Sequence, residues 1–209
     1  MLGLPKATEI RKPLHKTAIY TKFRMDNAAK EKIDADISRV TIVNEVSANS
    51  LNIPVSEEVS CFFVMHVALK KRDFDNKNII TLSKLIPQNI LFVLEHNEES
   101  RLAVYRTKLM QTDWKPTADC RIELKGLNLD RVWDNIVGEV GGFEIEQGNT
   151  LDEQIAINEK RQKLEKEIAL LEKKARAEKQ PKKKFELVQK INGLKTTLQY
   201  NFIGRKQKI

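Results

Sequence analysis

Ser60-Cys-Phe-Phe-Val-Met-His-Val-Ala-Leu69 is the longest apolar run of the chain, and its reading decides the fold. At a period of two, Cys61, Phe63, Met65, Val67 and Leu69 share one face, while Phe62, Val64, His66 and Ala68 share the other. A strand over residues 58–70 that is apolar on both faces belongs in the middle of a sheet covered on both sides. The run is far short of the roughly 20 residues that span a bilayer, so it predicts no membrane crossing.

Working outward, residues 73–86 carry Phe74, Ile79, Leu82 and Leu85 or Ile86 at helical spacing, with Pro87 as the stop, and Asn89-Ile-Leu-Phe-Val-Leu-Glu95 reads as a second buried strand. Strand, helix and strand in so short a span make a βαβ unit, which pairs the two strands in parallel. His96-Asn-Glu-Glu-Ser100 reads as a turn into an antiparallel partner over residues 101–107. On the N-terminal side, residues 39–46 are rich in β-branched side chains and predict a strand, and residues 26–37 predict a helix capped by Asp26. Residues 121–125 predict one more strand and residues 129–140 a helix. Pro5 and Pro13 interrupt residues 1–24, which read as an extended basic arm.

From Thr150 the pattern changes. Thr150-Leu-Asp-Glu153 matches a capping box, after which Ile157, Leu164, Ile168, Leu171 and Ala175 recur at coiled-coil-like spacing among Glu, Lys, Arg and Gln. Gln180-Pro-Lys-Lys-Lys184 breaks the run, and Leu187, Ile191, Leu194 and Leu198 resume it from about Phe185. The expected architecture is α/β, a mixed sheet covered by helices, followed by an antiparallel helical hairpin. Its parts are a basic arm (residues 1–24), an α/β domain (25–147), the hairpin (150–203) and a basic tail (204–209). A hairpin this short is marginal alone. Its apolar residues Leu164, Ile168, Leu171, Leu187, Ile191, Leu194 and Leu198 are therefore an expected interface, with a partner protein or a second copy in a homo-oligomer, the plainer alternative being that they pack on the chain's own α/β domain.

Of 209 residues, 37 are Lys or Arg and 29 Asp or Glu, a net charge of +8. Residues 151–209 hold 16 basic and 8 acidic side chains, so that segment carries the whole excess. Residues 1–24 hold six basic side chains against Glu9 alone, which leaves residues 25–150 net acidic. Basic segments raise affinity for polyanions by releasing counterions from phosphates. The candidate nucleic-acid-binding residues are Lys173, Lys174, Arg176, Lys179, Lys182, Lys183 and Lys184 around the hairpin turn, and Arg205, Lys206 and Lys208 at the C-terminus. With few aromatics interleaved, backbone contact fits this surface better than base stacking.

Catalytic signatures are sparse. The cluster Gly138, Gly141 and Gly142 lacks the Lys-Ser/Thr of a phosphate loop, and two Cys and three His without ligand spacing predict no zinc site and no cofactor. Cys61 and Cys120 are too few for a disulfide framework. The N-terminus lacks a basic stretch followed by an apolar signal region, so a reduced, cytoplasmic chain is expected. The order of elements around residues 58–70 resembles a degenerate restriction-endonuclease-like core. In that core a carboxylate and, two residues on, a Lys serve a divalent metal. Here Lys70 is present but its partner position is Ala68. An atypical metal nuclease would have to use His66 and Lys70 with Asp34, Asp36 or Glu45; against it stands the plainer reading of His66 as a hydrogen-bonded core residue.

Leu4-Pro-Lys-Ala-Thr-Glu-Ile-Arg-Lys12 with Lys16, then Val67-Ala-Leu-Lys-Lys71, then Ile86-Pro-Gln-Asn-Ile-Leu-Phe-Val-Leu94, and finally the Lys/Glu-rich hairpin together resemble one family, the prokaryotic domain-of-unknown-function family 4391. Members are often encoded beside a restriction-type helicase and a DNA methyltransferase. The resemblance implies a non-catalytic accessory subunit of a restriction-modification or anti-phage defence complex, which docks the helicase or methyltransferase and contacts DNA through basic segments. It implies no catalytic residues. A metal nuclease and an RNA-binding module that uses the basic hairpin are the alternatives.

Overall fold

The computed structural model describes residues 2–199, which divide into two compact units, residues 2–145 and 146–199. The first unit runs β1 (Glu9–Leu14), α1 (Lys16–Lys22), α2 (Asn27–Asp36), β2 (Ile37–Ser47), α3 (Ala48–Leu51), β3 (Cys61–Leu69), α4 (Asn76–Ser83), β4 (Asn89–His96), β5 (Glu99–Tyr105), β6 (Leu109–Gln111), β7 (Lys115–Pro116) and α5 (Leu129–Gly141). The second holds α6 (Leu151–Ala177) and α7 (Pro181–Leu198). Among the described residues, no helix is long and apolar enough to cross a membrane.

The sheet has the order β1-β2-β3-β4-β5-β6, with β7 also paired to β5. β3 and β4 are parallel because α4 carries the chain back between them; every other pair is antiparallel. The sheet is therefore mixed, and β3 is an inner strand with both faces covered. Met65 and Val67 pack with Phe92, Ile19 of α1, Ile33 of α2, and Ile79 and Leu82 of α4 in one cluster. On the opposite face the Phe62 ring meets Trp133 of α5 at a centroid distance of 5.2 Å, and both residues are buried. Asp26 caps α2, as its sequence predicts, by accepting from the Ala29 N–H at 2.8 Å.

Two expectations for this unit fail. Residues 9–14 are the edge strand β1, with Leu14 opposite Val40 and Pro13 opposite Thr41, and Ile19 is fully buried, so residues 1–24 are not a free arm. An edge strand tolerates Pro and need bury little, which is why it looked irregular. Residues 121–125 form no strand; Arg121 makes an isolated bridge with Leu2, and Gly126, at φ 150°, ends the segment.

In the second unit the capping box forms as its sequence predicts. The Thr150 Oγ1 accepts from the Glu153 N–H at 3.3 Å, and the Glu153 carboxylate accepts from the Thr150 N–H at 2.8 Å. α6 and α7 pack together along a seam of Ile168, Leu171, Ala175 and Ile191, flanked by Leu187, Leu194 and Leu198. Lys190–Glu167 and Lys195–Glu172 ion pairs, at 3.2 and 2.7 Å, tie the helices together. The break between them differs from the sequence reading. Pro181 starts α7 in place of ending a helix, since its missing N–H costs nothing at the first helical position. Lys182, Lys183 and Lys184 are consequently helical, not part of a loop.

Candidate nucleic-acid interface and the His66 cleft

At the turn from α6 to α7 the structure gathers Lys173, Lys174, Arg176, Lys179, Lys182, Lys183 and Lys184, all exposed. Only Arg176 among them has an ion-pair partner within the described residues, Glu172 at 4.0 Å. The local physics is unfavourable. Gln180 at the N-cap of α7 makes no side-chain cap bond, and the first turn contains no acidic residue. Three lysines thus stand at the positive end of a helix dipole, where cations are disfavoured by roughly 0.3–1 kcal/mol each. An anion at that end would be met by uncapped N–H groups and by the lysines together. Arg205, Lys206 and Lys208 lie outside the described residues.

The residues expected to form an interface serve first as the hairpin's own seam. Ile168, Leu171, Leu187, Ile191, Leu194 and Leu198 are in or against it, and Leu164 is half-buried. Among the described residues, the large apolar side chains left exposed on the hairpin are Leu170, Phe185 and Val188.

The other candidate centre is His66. The sequence left its partner unnamed; the parallel register supplies it. His66 lies opposite Val93 and Ala68 opposite Glu95, which puts Glu95 diagonally beside His66, with Nε2 to carboxylate oxygen at 3.1 Å. His66 is buried and also lines an open cleft of about 390 Å³ together with Glu9, Arg11, Arg39, Thr41 and Asn44. Thr41 faces His66 across the β2–β3 ladder and Arg39 faces Ala68, so the small Ala68 side chain lies between Arg39 and Glu95 on that face. A bulge between Glu9 and Lys12 brings β1 to the cleft, and Arg11 within it adopts φ 48°, a left-handed conformation that costs a non-glycine residue roughly 1–2 kcal/mol. Neither the bulge nor the φ has a sequence signature.

The carboxylates proposed for a nuclease are engaged elsewhere. Asp34 accepts from Lys16 and from the Tyr20 hydroxyl, both at 2.7 Å, and these bonds hold its carboxyl below the usual carboxylate range. Burial, with the bond to Asp34, pushes Tyr20 up to about 12. Asp36 accepts from Lys71, the Asp75 N–H and Asn78. Lys70 lies just past β3, its N–H donating to the Asp36 carbonyl at 2.7 Å. Glu45 is opposite Phe63, on the other side of β2–β3 from His66. Among the described residues, no group of three or more His, Cys, Asp or Glu is placed to hold a metal ion.

A family model described as a domain of unknown function, DUF4391, matches residues 2–198. The chain belongs to that family. The DUF4391 match runs from before β1 through the end of α7, so the sheet unit and the hairpin are both parts of the family's domain. No curated protein and no solved structure matches the chain.

Proposed function

We propose that this DUF4391 protein is a non-catalytic accessory subunit of a DNA-processing complex of the restriction-modification or anti-phage defence kind. It docks a helicase or DNA methyltransferase and holds DNA by its phosphate backbone through the hairpin turn. The observation that carries the reading is the first turn of α7, in which Lys182, Lys183 and Lys184 are exposed, without carboxylate partners, at an uncapped helix N-terminus. That arrangement is electrostatically costly in the protein by itself and becomes favourable against phosphate. Such contacts position a protein on DNA without reading its sequence, which suits a subunit whose partner carries the specificity.

The test is capture of the full-length protein from its native cell under low salt, with and without nuclease treatment. Co-purification of a helicase or methyltransferase that survives nuclease treatment supports direct docking. Recovery of ribosomal components alone would replace this reading with the RNA-binding one. Plasmid cleavage in Mg²⁺ or Mn²⁺ that disappears on Lys70→Ala would replace it with a nuclease.

A further inference from the structure

The His66 cleft lies wholly within the sheet unit and plays no part in the proposed hairpin contact. We propose that it is a binding site for a phosphate group, carried by a nucleotide or by the end of a nucleic-acid strand. At about 390 Å³ it is within the size range of small-ligand sites. Its donors match a phosphate: two guanidinium forks from Arg11 and Arg39 and the Thr41 hydroxyl, against a wall of Asn44 and His66.

Each of these groups is held in a different way. Arg39 is exposed and has no hydrogen-bond or ion-pair partner among the described residues, so its fork is available. Arg11 leans on Glu9 at 3.4 Å, a weak exposed pair that a doubly charged anion can displace. His66 is fixed by Glu95 through Nε2, so its ring forms a held wall of the cleft and the phosphate donors are its neighbours. Asn44 is buried and bonded to Thr8 at 2.8 Å, which anchors that wall. Glu9 is therefore a carboxylate that competes with a phosphate for Arg11. Arginine is the side chain suited to planar, bidentate grip on phosphate, and two of them beside a fixed histidine favour phosphate over a singly charged carboxylate.

Titration calorimetry of the full-length protein with inorganic phosphate tests the site. Saturable binding is expected, weakened about tenfold or more by Arg39→Gln, which removes a charge-assisted contact from an exposed position. Glu9→Gln should tighten it by freeing Arg11, an effect that no general loss of structure produces. The triple change of Lys182, Lys183 and Lys184 to Gln should leave intact the phosphate binding that responds to Arg39→Gln and Glu9→Gln, so failure of the hairpin reading and failure of this one are separable. Comparing deoxyadenosine 5′-monophosphate with a 5′-phosphorylated and a 5′-hydroxyl oligonucleotide distinguishes a free nucleotide from a strand end. Absence of saturable phosphate binding, or equal affinity in the wild type, Arg39→Gln and Glu9→Gln, overturns the proposal.

Discussion

Replacing Lys182, Lys183 and Lys184 by Gln should change not only how tightly the protein binds duplex DNA but how that affinity depends on salt. The described hairpin turn presents seven exposed cations. If each neutralises one phosphate, the slope of log affinity against log salt is roughly 0.9 per contact, or about −6 in all. Removing three contacts reduces it by about 2.7. Between about 50 and 200 mM salt the wild type should lose roughly four powers of ten in affinity and the variant roughly two. The curves converge at high salt, where counterion release no longer drives binding.

Fluorescence anisotropy of a labelled duplex across a KCl series measures both slopes. A folding artefact is excluded by the same structure. The three lysines are exposed and stand at the unfavourable end of the α7 dipole, so neutralising them should hold or raise helicity by circular dichroism. Parallel salt curves for wild type and variant would refute the reasoning, because they would show that the turn releases no counterions and that the phosphate contacts are elsewhere.

Asp36→Asn should destabilise the protein by about 2–4 kcal/mol in urea, since the carboxylate is only 3% exposed and accepts from Lys71, Asn78 and the Asp75 N–H. Burial pushes its carboxyl up, but those donors together hold it below the ordinary carboxylate value, so its stabilisation is present above that value and lost as pH falls through the lowered one. The urea midpoint of the wild type should therefore drop on acidification, and that of Asp36→Asn should drop less. Ile191→Ala, which hollows the α6–α7 seam beside Ile168 and Leu171, should cost about 2–4 kcal/mol and speed hydrogen exchange along both helices. Gly138→Ala should lower the melting temperature, because its Cβ would be 2.7 Å from the Phe143 carbonyl, whose own N–H donates back to the Gly138 carbonyl at 3.0 Å.

The centre of the sheet is legible in the sequence because β3 and β4 are apolar on both faces, a pattern that only an inner strand explains. Their parallel pairing follows from the helical spacing between them. β1 escapes the same reading for the opposite physical reason. An edge strand keeps one side in solvent, so Glu9, Arg11 and Lys12 leave no apolar alternation to find. The partner of His66 is hidden differently. Glu95 is 29 residues away and becomes its neighbour only through the register that places Val93 opposite His66. Pro181 shows a third kind of ambiguity. Proline ends a helix and also begins one, and the difference decides whether the lysines after it are a loose loop or a charged helical turn.

That difference also redistributes the charge. With β1 and α1 built into the sheet unit, residues 1–145 hold 21 basic and 20 acidic side chains, and residues 146–209 hold 16 basic and 9 acidic. Part of the positive N-terminal segment is therefore engaged within the sheet unit. Lys16 is spent on Asp34, Arg11 leans on Glu9, and Lys22 donates to the Leu85 carbonyl. Charge inside the sheet unit is nearly balanced in sum and partly paired, which leaves little long-range field. Charge on the hairpin is unbalanced and concentrated at one turn, which costs stability locally and attracts polyanions. A mostly neutral sheet unit with one small arginine-lined cleft fits recognition of a single phosphate, whereas the hairpin turn fits a backbone of many, and the two surfaces differ in the salt dependence they impose for that reason.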